Sequence, residues 1–180
     1  LMTHLPKNPY CSVCQRAKMI PPKSKRKGGV EKFAYDKFGQ HFTVDAMDLR
    51  SIRNRGVGGM HTALVFFDFG SRWLECVPLS SRSEEDTQRG FIQFLGHEFK
   101  PECSCYSDKA PELILVATKM NLAVSCSTPG VPRSNSIAEN KVQLVLHAAR
   151  AILLQAGMPA RYWPYATKYF CFSKNITESH

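Results

Sequence analysis

Residues 101–113 read PECSCYSDKAPEL, and residues 126–150 read CSTPGVPRSNSIAENKVQLVLHAAR; each stretch contributes one acid in a defined local setting. The first acid, Asp108, follows a short run of alternating apolar residues at 102–106, which predicts a strand. Open α/β sheets place their functional sites at the carboxyl ends of strands. We therefore expect Asp108 to lie at the edge of a sheet where its parallel strands end, which we term the mouth of the sheet.

The second acid, Glu139, lies near the start of a predicted helix. Polar residues just before it can cap the helix, and apolar residues recur three and four positions apart beyond it. These apolar residues form one stripe along the helix: Val142, Val145, Leu146, Ala149, Ile152 and Leu153. Glu139 lies at the edge of this stripe, with Gln143, His147 and Arg150. The pattern predicts a packed helix whose acid faces a cleft.

A third acid, Asp45, lies inside the strand pattern QHFTVDAMDL of residues 40–49. An isolated buried carboxylate is costly, so such an acid is usually paired or bound to a metal ion. Asp45, Asp108 and Glu139 are hard oxygen ligands that suit Mg²⁺ or Mn²⁺. Two such ions can activate the attacking oxygen and stabilise the leaving oxygen of a phosphodiester. The alternative is that each acid is simply solvated.

In the order of its motifs, the chain from Cys11 to Phe172 resembles the integrase of a copia-type retrotransposon, a DDE enzyme similar to retroviral integrases. The motifs are CSVCQRAKM, FGQHFTVDAM, HTALVFFDFGSRWLECVPL, YSDKAPEL, STPGVPRSNSIAE and AARAILLQAGMPARYWPYA. The resemblance implies an α/β ribonuclease H-like fold, a five-stranded mixed sheet flanked by helices. It also implies that Asp45, Asp108 and Glu139 are the catalytic, metal-binding acids.

The implied activity is DNA integration, in which phosphodiester cleavage is followed by strand transfer into target DNA. The implied partners are DNA, both element ends and target, and further copies of the chain. The sequence departs from the family at Lys109-Ala110, where Asn-Gly is usual, and at Ser136, where Gly is usual. The interval from Asp108 to Glu139 is also several residues shorter than usual.

The resemblance divides the chain into three parts. Residues 1–20 are the end of a zinc-binding N-terminal module, residues 21–38 a basic linker, and residues 39–180 the catalytic core. Cys11 and Cys14 have the spacing of two zinc thiolates, but a closed tetrahedral site needs four ligands. Zn²⁺ binding therefore requires further ligands upstream, where the resembled family has two histidines.

The net charge of +9 is concentrated at the N-terminus, because residues 1–40 hold nine of the 24 basic residues but two of the 15 acidic ones. A basic arm suits a polyanionic partner, since phosphate contacts release counterions. A solvated linker is the alternative. The predicted nucleic-acid contacts are Lys23, Lys25, Arg26, Lys27, Arg133, Asn135 and Gln143.

The length and the cysteine content of the chain limit the class of protein to which it can belong. A chain of 180 residues that is 43% hydrophobic can bury one core with a small appendage. Seven cysteines, an odd number with only one pair at metal-ligand spacing, argue against a disulfide framework. No apolar run reaches membrane-spanning length. We expect an intracellular protein, in the nucleus or a cytoplasmic particle, that is neither secreted nor bound to a membrane.

Three local features predict structural roles. Asp68, before Gly70, is expected to form a turn rather than to bind metal. Ser83, followed by three acids, is expected to cap a helix. In the aromatic segment at 158–172, core packing is expected ahead of base stacking for Trp163, Tyr165 and Tyr169.

Two other functions fit the same residues. The first is a ribonuclease H-like nuclease that uses the same ions on another substrate. The second is a catalytically inactive nucleic-acid-binding relic of a retrotransposon polyprotein. The lack of a convincing nucleophile–base pair around Ser or Cys argues against covalent catalysis.

Overall fold

A five-stranded sheet with helices on both faces forms the centre of the computed structural model, which describes residues 8, 10–17, 37–49, 55–97, 103–126 and 136–177. Short 3₁₀ turns occur at Val57–Gly59 and Ala160–Tyr162. The strands are β1 (His41–Asp48), β2 (Thr62–Asp68), β3 (Leu74–Leu79), β4 (Ser104–Ser107) and β5 (Ala123–Cys126). The helices are α1 (Ser12–Ala17), α2 (Glu84–Leu95), α3 (Pro111–Lys119), α4 (Ser136–Ala156) and α5 (Trp163–Thr177).

The strand order is β3-β2-β1-β4-β5, so the sheet is mixed. The pairs β3–β2 and β2–β1 are antiparallel, whereas β1–β4 and β4–β5 are parallel. All seven residues of β2 are buried, as expected for a strand covered on both faces. The predicted α/β fold with a five-stranded mixed sheet is confirmed.

The two faces of the sheet carry separate hydrophobic cores. On one face, Phe42 and Phe66 pack with Phe91 and Phe94 of α2. On the other face, residues of β1, β2 and β3 pack with α4 and α5. Because strand residues alternate between faces, Asp45 points to the same side as Met47, towards α4.

Helix α2 begins as the sequence predicts. Ser83 is the N-cap residue, and its side chain accepts a hydrogen bond from the backbone N–H of Asp86. Asp86 is the third helical residue, is buried, and accepts hydrogen bonds from the hydroxyls of Ser80 and Ser81. The predicted cap is confirmed, and Asp86 also fastens the β3–α2 connection.

Helix α4 buries the predicted stripe in part. Val142, Val145 and Ala149 are buried, while Leu146 is half-buried, like Ile152 and Leu153. Three small residues of α4 that the pattern omitted are buried as well, because the close helix contacts favour alanine: Ala138, Ala148 and Ala151. Helix α1 packs against α4.

The expectation for helix α5 is correct for Trp163 and wrong for the two tyrosines. Trp163 is buried, but Tyr165 and Tyr169 are 61% and 46% exposed. Helix α5 directs its buried residues, which include Ala166 and Phe170, towards the sheet. Tyr165 and Tyr169 lie four residues apart on the opposite face, so burial of one face leaves them exposed.

Candidate active site

The two strand acids lie at the same end of neighbouring parallel strands. Asp45 is in β1, and Asp108 directly follows β4. Because Val44 of β1 pairs with Ser107 of β4, Asp45 and Asp108 occupy the next position along each strand. The register therefore brings the two carboxyl groups to one mouth of the sheet.

Glu139 approaches this mouth from the helical layer. It lies in the first turn of α4 and is exposed, and α4 packs against β1 and β2. Gln143, one turn further along the helix, is also exposed. The acid thus projects from the edge of a helix whose buried residues fix its rotation on the sheet.

Electrostatics shows that the three acids share one environment. The pKa of Asp45 is raised to about 6, first by burial of the carboxyl group and then by the negative charge of Asp108. The charge of Glu139 contributes to the same rise, whereas a hydrogen bond from Ala46 and the charge of Arg82 act in the opposite direction. Mutual repulsion of this kind is what a bound cation relieves.

Backbone hydrogen bonds orient the two strand acids. Oδ1 of Asp45 accepts from the N–H of Ala46 at 2.8 Å, and Oδ1 of Asp108 accepts from the N–H of Ala110 at 3.2 Å. Among the described residues, no three His, Cys, Asp or Glu side chains are close enough to hold one metal ion. The carboxylates therefore fit Mg²⁺ or Mn²⁺ by donor chemistry and shared charge, and they would have to draw together to ligate it.

Asp68 has the structural role that the sequence predicts. Its side chain is completely buried, and it accepts hydrogen bonds from the N–H of Gly39 at 2.9 Å and the N–H of Ser71 at 2.7 Å. The hydroxyl of Ser71 donates a further hydrogen bond at 2.7 Å. Asp68 thus fastens the β2–β3 turn to the residues before β1.

The other predicted residues are the two cysteines and the DNA contacts. Cys11 immediately precedes α1, and the backbone N–H of Cys14 lowers the pKa of the Cys11 thiol by hydrogen bonding to it. Cys14 is buried. No third zinc ligand joins these two thiols within the ranges that the structure describes. The predicted DNA contacts that lie outside those ranges are Lys23, Lys25, Arg26, Lys27, Arg133 and Asn135.

One serine–histidine pair occurs at the opposite end of the sheet. Nδ1 of His41 lies 2.6 Å from Oγ of Ser104, but this hydroxyl donates its proton to the carbonyl of Gln40. Burial lowers the pKa of His41. Because the serine proton is already committed to the backbone, the pair links the starts of β1 and β4 and does not form an activated nucleophile.

Arg82 is the site residue that the sequence analysis missed. It lies in the β3–α2 connection, where its guanidinium Nε is 2.8 Å from Oε1 of Glu112 and Nη1 is 4.0 Å from Oδ2 of Asp48. No local pattern indicates this position, because both partners are distant in sequence. Only the assembled mouth of the sheet brings them together.

Comparison with solved structures identifies the fold. The catalytic core of BIV integrase superposes with a TM-score of 0.55 at 11% identity, over 79% of this chain and 87% of that one. The simian T-cell lymphotropic virus intasome in complex with the PP2A regulatory subunit B56 gamma gives a TM-score of 0.64 at 12% identity, over 94% and 59%. The fold is that of the integrase catalytic cores, which is ribonuclease H-like.

Sequence comparison points to transposons. The retrovirus-related Pol polyproteins from transposons RE2 and RE1 of Arabidopsis thaliana are each 26% identical over 108 residues, 57% of this chain. The match covers 7% of each relative's length. No protein-family model matches the chain. The chain is similar in sequence to these Pol polyproteins, in agreement with the resemblance to a copia-type integrase core.

Proposed function

We propose that the chain is the catalytic domain of a retrotransposon integrase, which cleaves DNA and transfers the cut strand into target DNA. One observation carries this proposal: Asp45, Asp108 and Glu139, from three elements of an integrase fold, share an environment that raises the pKa of Asp45. The fold and the transposon relatives support an integrase-like catalytic domain in general. The proposal adds the reaction itself, which is DNA cleavage followed by strand transfer.

The three acids would hold two Mg²⁺ or Mn²⁺ ions. When bound, these ions supply activation of the attacking oxygen and charge stabilisation at the leaving oxygen. The protein supplies the placement: Ala46 and Ala110 fix one oxygen of each strand acid, so the other oxygen can face the substrate side of the mouth. Water is the nucleophile when the element end is trimmed, and the freed 3′ hydroxyl is the nucleophile in strand transfer.

A strand-transfer assay tests the proposal. The 180-residue chain is incubated with Mn²⁺, a labelled duplex that ends in the element terminus, and a plasmid target. Asp108→Asn is expected to abolish joined product, and Glu85→Gln, an exposed acid on α2, to retain it. A wild-type chain that cleaves an RNA–DNA hybrid but joins no ends would favour the nuclease. Metal-independent DNA binding without cleavage would favour the inactive relic.

DNA binding is proposed to depend on the basic arm, a role that also suits a nuclear or particle location. Replacing Lys23, Lys25, Arg26 and Lys27 by Gln should flatten the dependence of the logarithm of DNA affinity on the logarithm of salt concentration. The slope should fall by roughly 1–3, since each lost phosphate contact contributes about 0.9. Lys119→Gln, at an ion pair on α3, is the control. Unchanged slopes would assign DNA binding to the core.

Zn²⁺ binding by Cys11 and Cys14 is proposed only with upstream ligands.

Self-association is proposed through the exposed face of α5. Tyr165, Tyr169, Phe172 and Ile176 recur at spacings of four and three and are all exposed, so they form one apolar stripe. A second copy of the chain is the partner that an oligomeric integrase would place on it.

The described helices include none that is long and apolar enough to span a membrane.

Sedimentation velocity tests this surface. Phe172→Lys should shift the chain towards monomer, because it places a charge in the centre of the stripe. Leu115→Lys makes the same chemical change at an exposed apolar residue of α3 and should leave the distribution unchanged. Equal effects of the two substitutions, or none, would contradict the assignment.

A further inference from the structure

Arg82 lies between β3 and α2 in a segment that hydrogen bonds hold on both sides. The hydroxyls of Ser80 and Ser81 donate to Oδ2 of Asp86 at 2.9 and 2.6 Å, and Ser83 caps α2. Asp86 is itself buried. The backbone that carries Arg82 is therefore fixed, which gives its long side chain a defined origin.

The side chain of Arg82 reaches from this segment across the mouth of the sheet. Its Nε lies 2.8 Å from Oε1 of Glu112, and Nη1 lies 4.0 Å from Oδ2 of Asp48. Within the described part of the chain Nε has no hydrogen-bond partner, so its contact with Glu112 is an ion pair. The side chain is only 28% exposed, and solvent therefore screens these attractions less than it would at the surface.

The two partners of Arg82 belong to the elements that carry the strand acids. Asp48 is the last residue of β1, which contains Asp45. Glu112 is in the first turn of α3, which begins at Pro111, three residues after Asp108. One guanidinium thus connects the end of β1 with the turn that follows β4. It contacts the neighbours of the strand acids and leaves the acids themselves available to a cation.

We propose that Arg82 is a positioning residue that holds the end of β1 close to the start of α3, so that Asp45 and Asp108 can close on one divalent cation. This inference rests on the proposed function, because it requires those two acids to be metal ligands. Partners of this kind, which orient ligands without touching the metal, typically affect metal affinity 10–100-fold.

The direction of the change in metal affinity distinguishes a positioning role of Arg82 from a simple effect of its charge. A guanidinium repels an incoming cation, so loss of its charge alone would tighten metal binding. Loss of a link between the two ligand-bearing elements would weaken it, since the acids would then have to be brought together against their repulsion. The two explanations therefore predict opposite changes for Arg82→Gln.

Isothermal titration of the full 180-residue chain with Mn²⁺, without DNA, provides the measurement. We expect the dissociation constant to rise about tenfold in Arg82→Gln. Arg82→Lys should give a smaller rise, because the ammonium retains the charge but cannot span both acids. Lys119→Gln removes the same charge from the Glu84 ion pair between α2 and α3 and should change affinity less than twofold.

Circular dichroism of each variant shows whether it is folded, and Arg82→Lys alone decides the question if Arg82→Gln does not fold. Unchanged or tighter Mn²⁺ binding in a folded Arg82 variant would overturn this inference and leave the proposed function intact. A wild-type chain that binds no Mn²⁺ would overturn both.

Discussion

Asp45 and Asp68 lie on neighbouring strands, Asp45 opposite Val65 in the middle of β1 and Asp68 opposite Phe42 at the end of β2, and their surroundings differ. Asp68 is fully buried and accepts three hydrogen bonds, from Gly39 and twice from Ser71. Asp45 is partly buried, accepts one described hydrogen bond from Ala46, and faces the charges of two other acids. A buried acid with sufficient donors stabilises the fold. A buried acid with few donors and acidic neighbours is arranged to bind a cation.

The largest expected effect concerns activity and the acids around Asp45. Glu139→Gln should abolish Mn²⁺-dependent strand transfer, because it removes the charge of the third acid from the mouth. It should leave the melting temperature within about 1–2 °C, as expected for an exposed residue. Glu85→Gln, on α2, is the matched control.

Retained strand transfer in Glu139→Gln would remove Glu139 from the site. A large loss of stability would make it a structural acid, like Asp68, and would erase the contrast between Asp68 and the acids around Asp45.

The second expected effect concerns stability and Asp68. Asp68→Ala should lower the free energy of unfolding by about 3–5 kcal/mol, because the N–H groups of Gly39 and Ser71 lose a buried charged acceptor. Urea denaturation followed by circular dichroism measures the change. Ser71→Ala removes the hydroxyl that donates to Asp68 and accepts from the N–H of Trp73, and it should cost about 1 kcal/mol. Similar losses in the two variants would mean that the Asp68 carboxylate is not the centre of this turn.

The comparison also shows which features can be predicted from the sequence. Local sequence patterns predicted the strand at 40–49, the strand before Asp108, the capped start of α2 and the turn role of Asp68, because each depends on neighbours within a few positions. That Asp45, Asp108 and Glu139 converge came from the family resemblance, since their spacing carries little information. The structure brings them to one mouth, and their role as metal ligands remains a prediction.

Two features required the assembled fold. Helix α5 has apolar residues on two faces, and the sequence does not indicate that Phe170 packs against the sheet while Tyr169 faces solvent. Arg82 pairs with Asp48 and Glu112, which are 34 and 30 positions away, so no local pattern detects it. Such long-range pairs are set by sheet register and helix placement.

The smallest expected effect is the pH dependence that Asp45 gives to stability without metal. The pKa of Asp45 is about 6 in the folded chain and near 4 when the chain is unfolded. The folded state therefore binds the proton more tightly, and the stability contributed by this group is greatest below pH 4, declines as pH rises towards 6, and is constant above that. Asp45→Asn lacks this dependence. In buffer with EDTA, its free energy of unfolding relative to wild type should increase by roughly 2 kcal/mol between pH 4 and pH 7. Urea titrations at several pH values measure the difference, with Glu85→Gln as the control. Parallel curves for wild type and Asp45→Asn would show that Asp45, like Asp68, has its charge satisfied within the fold.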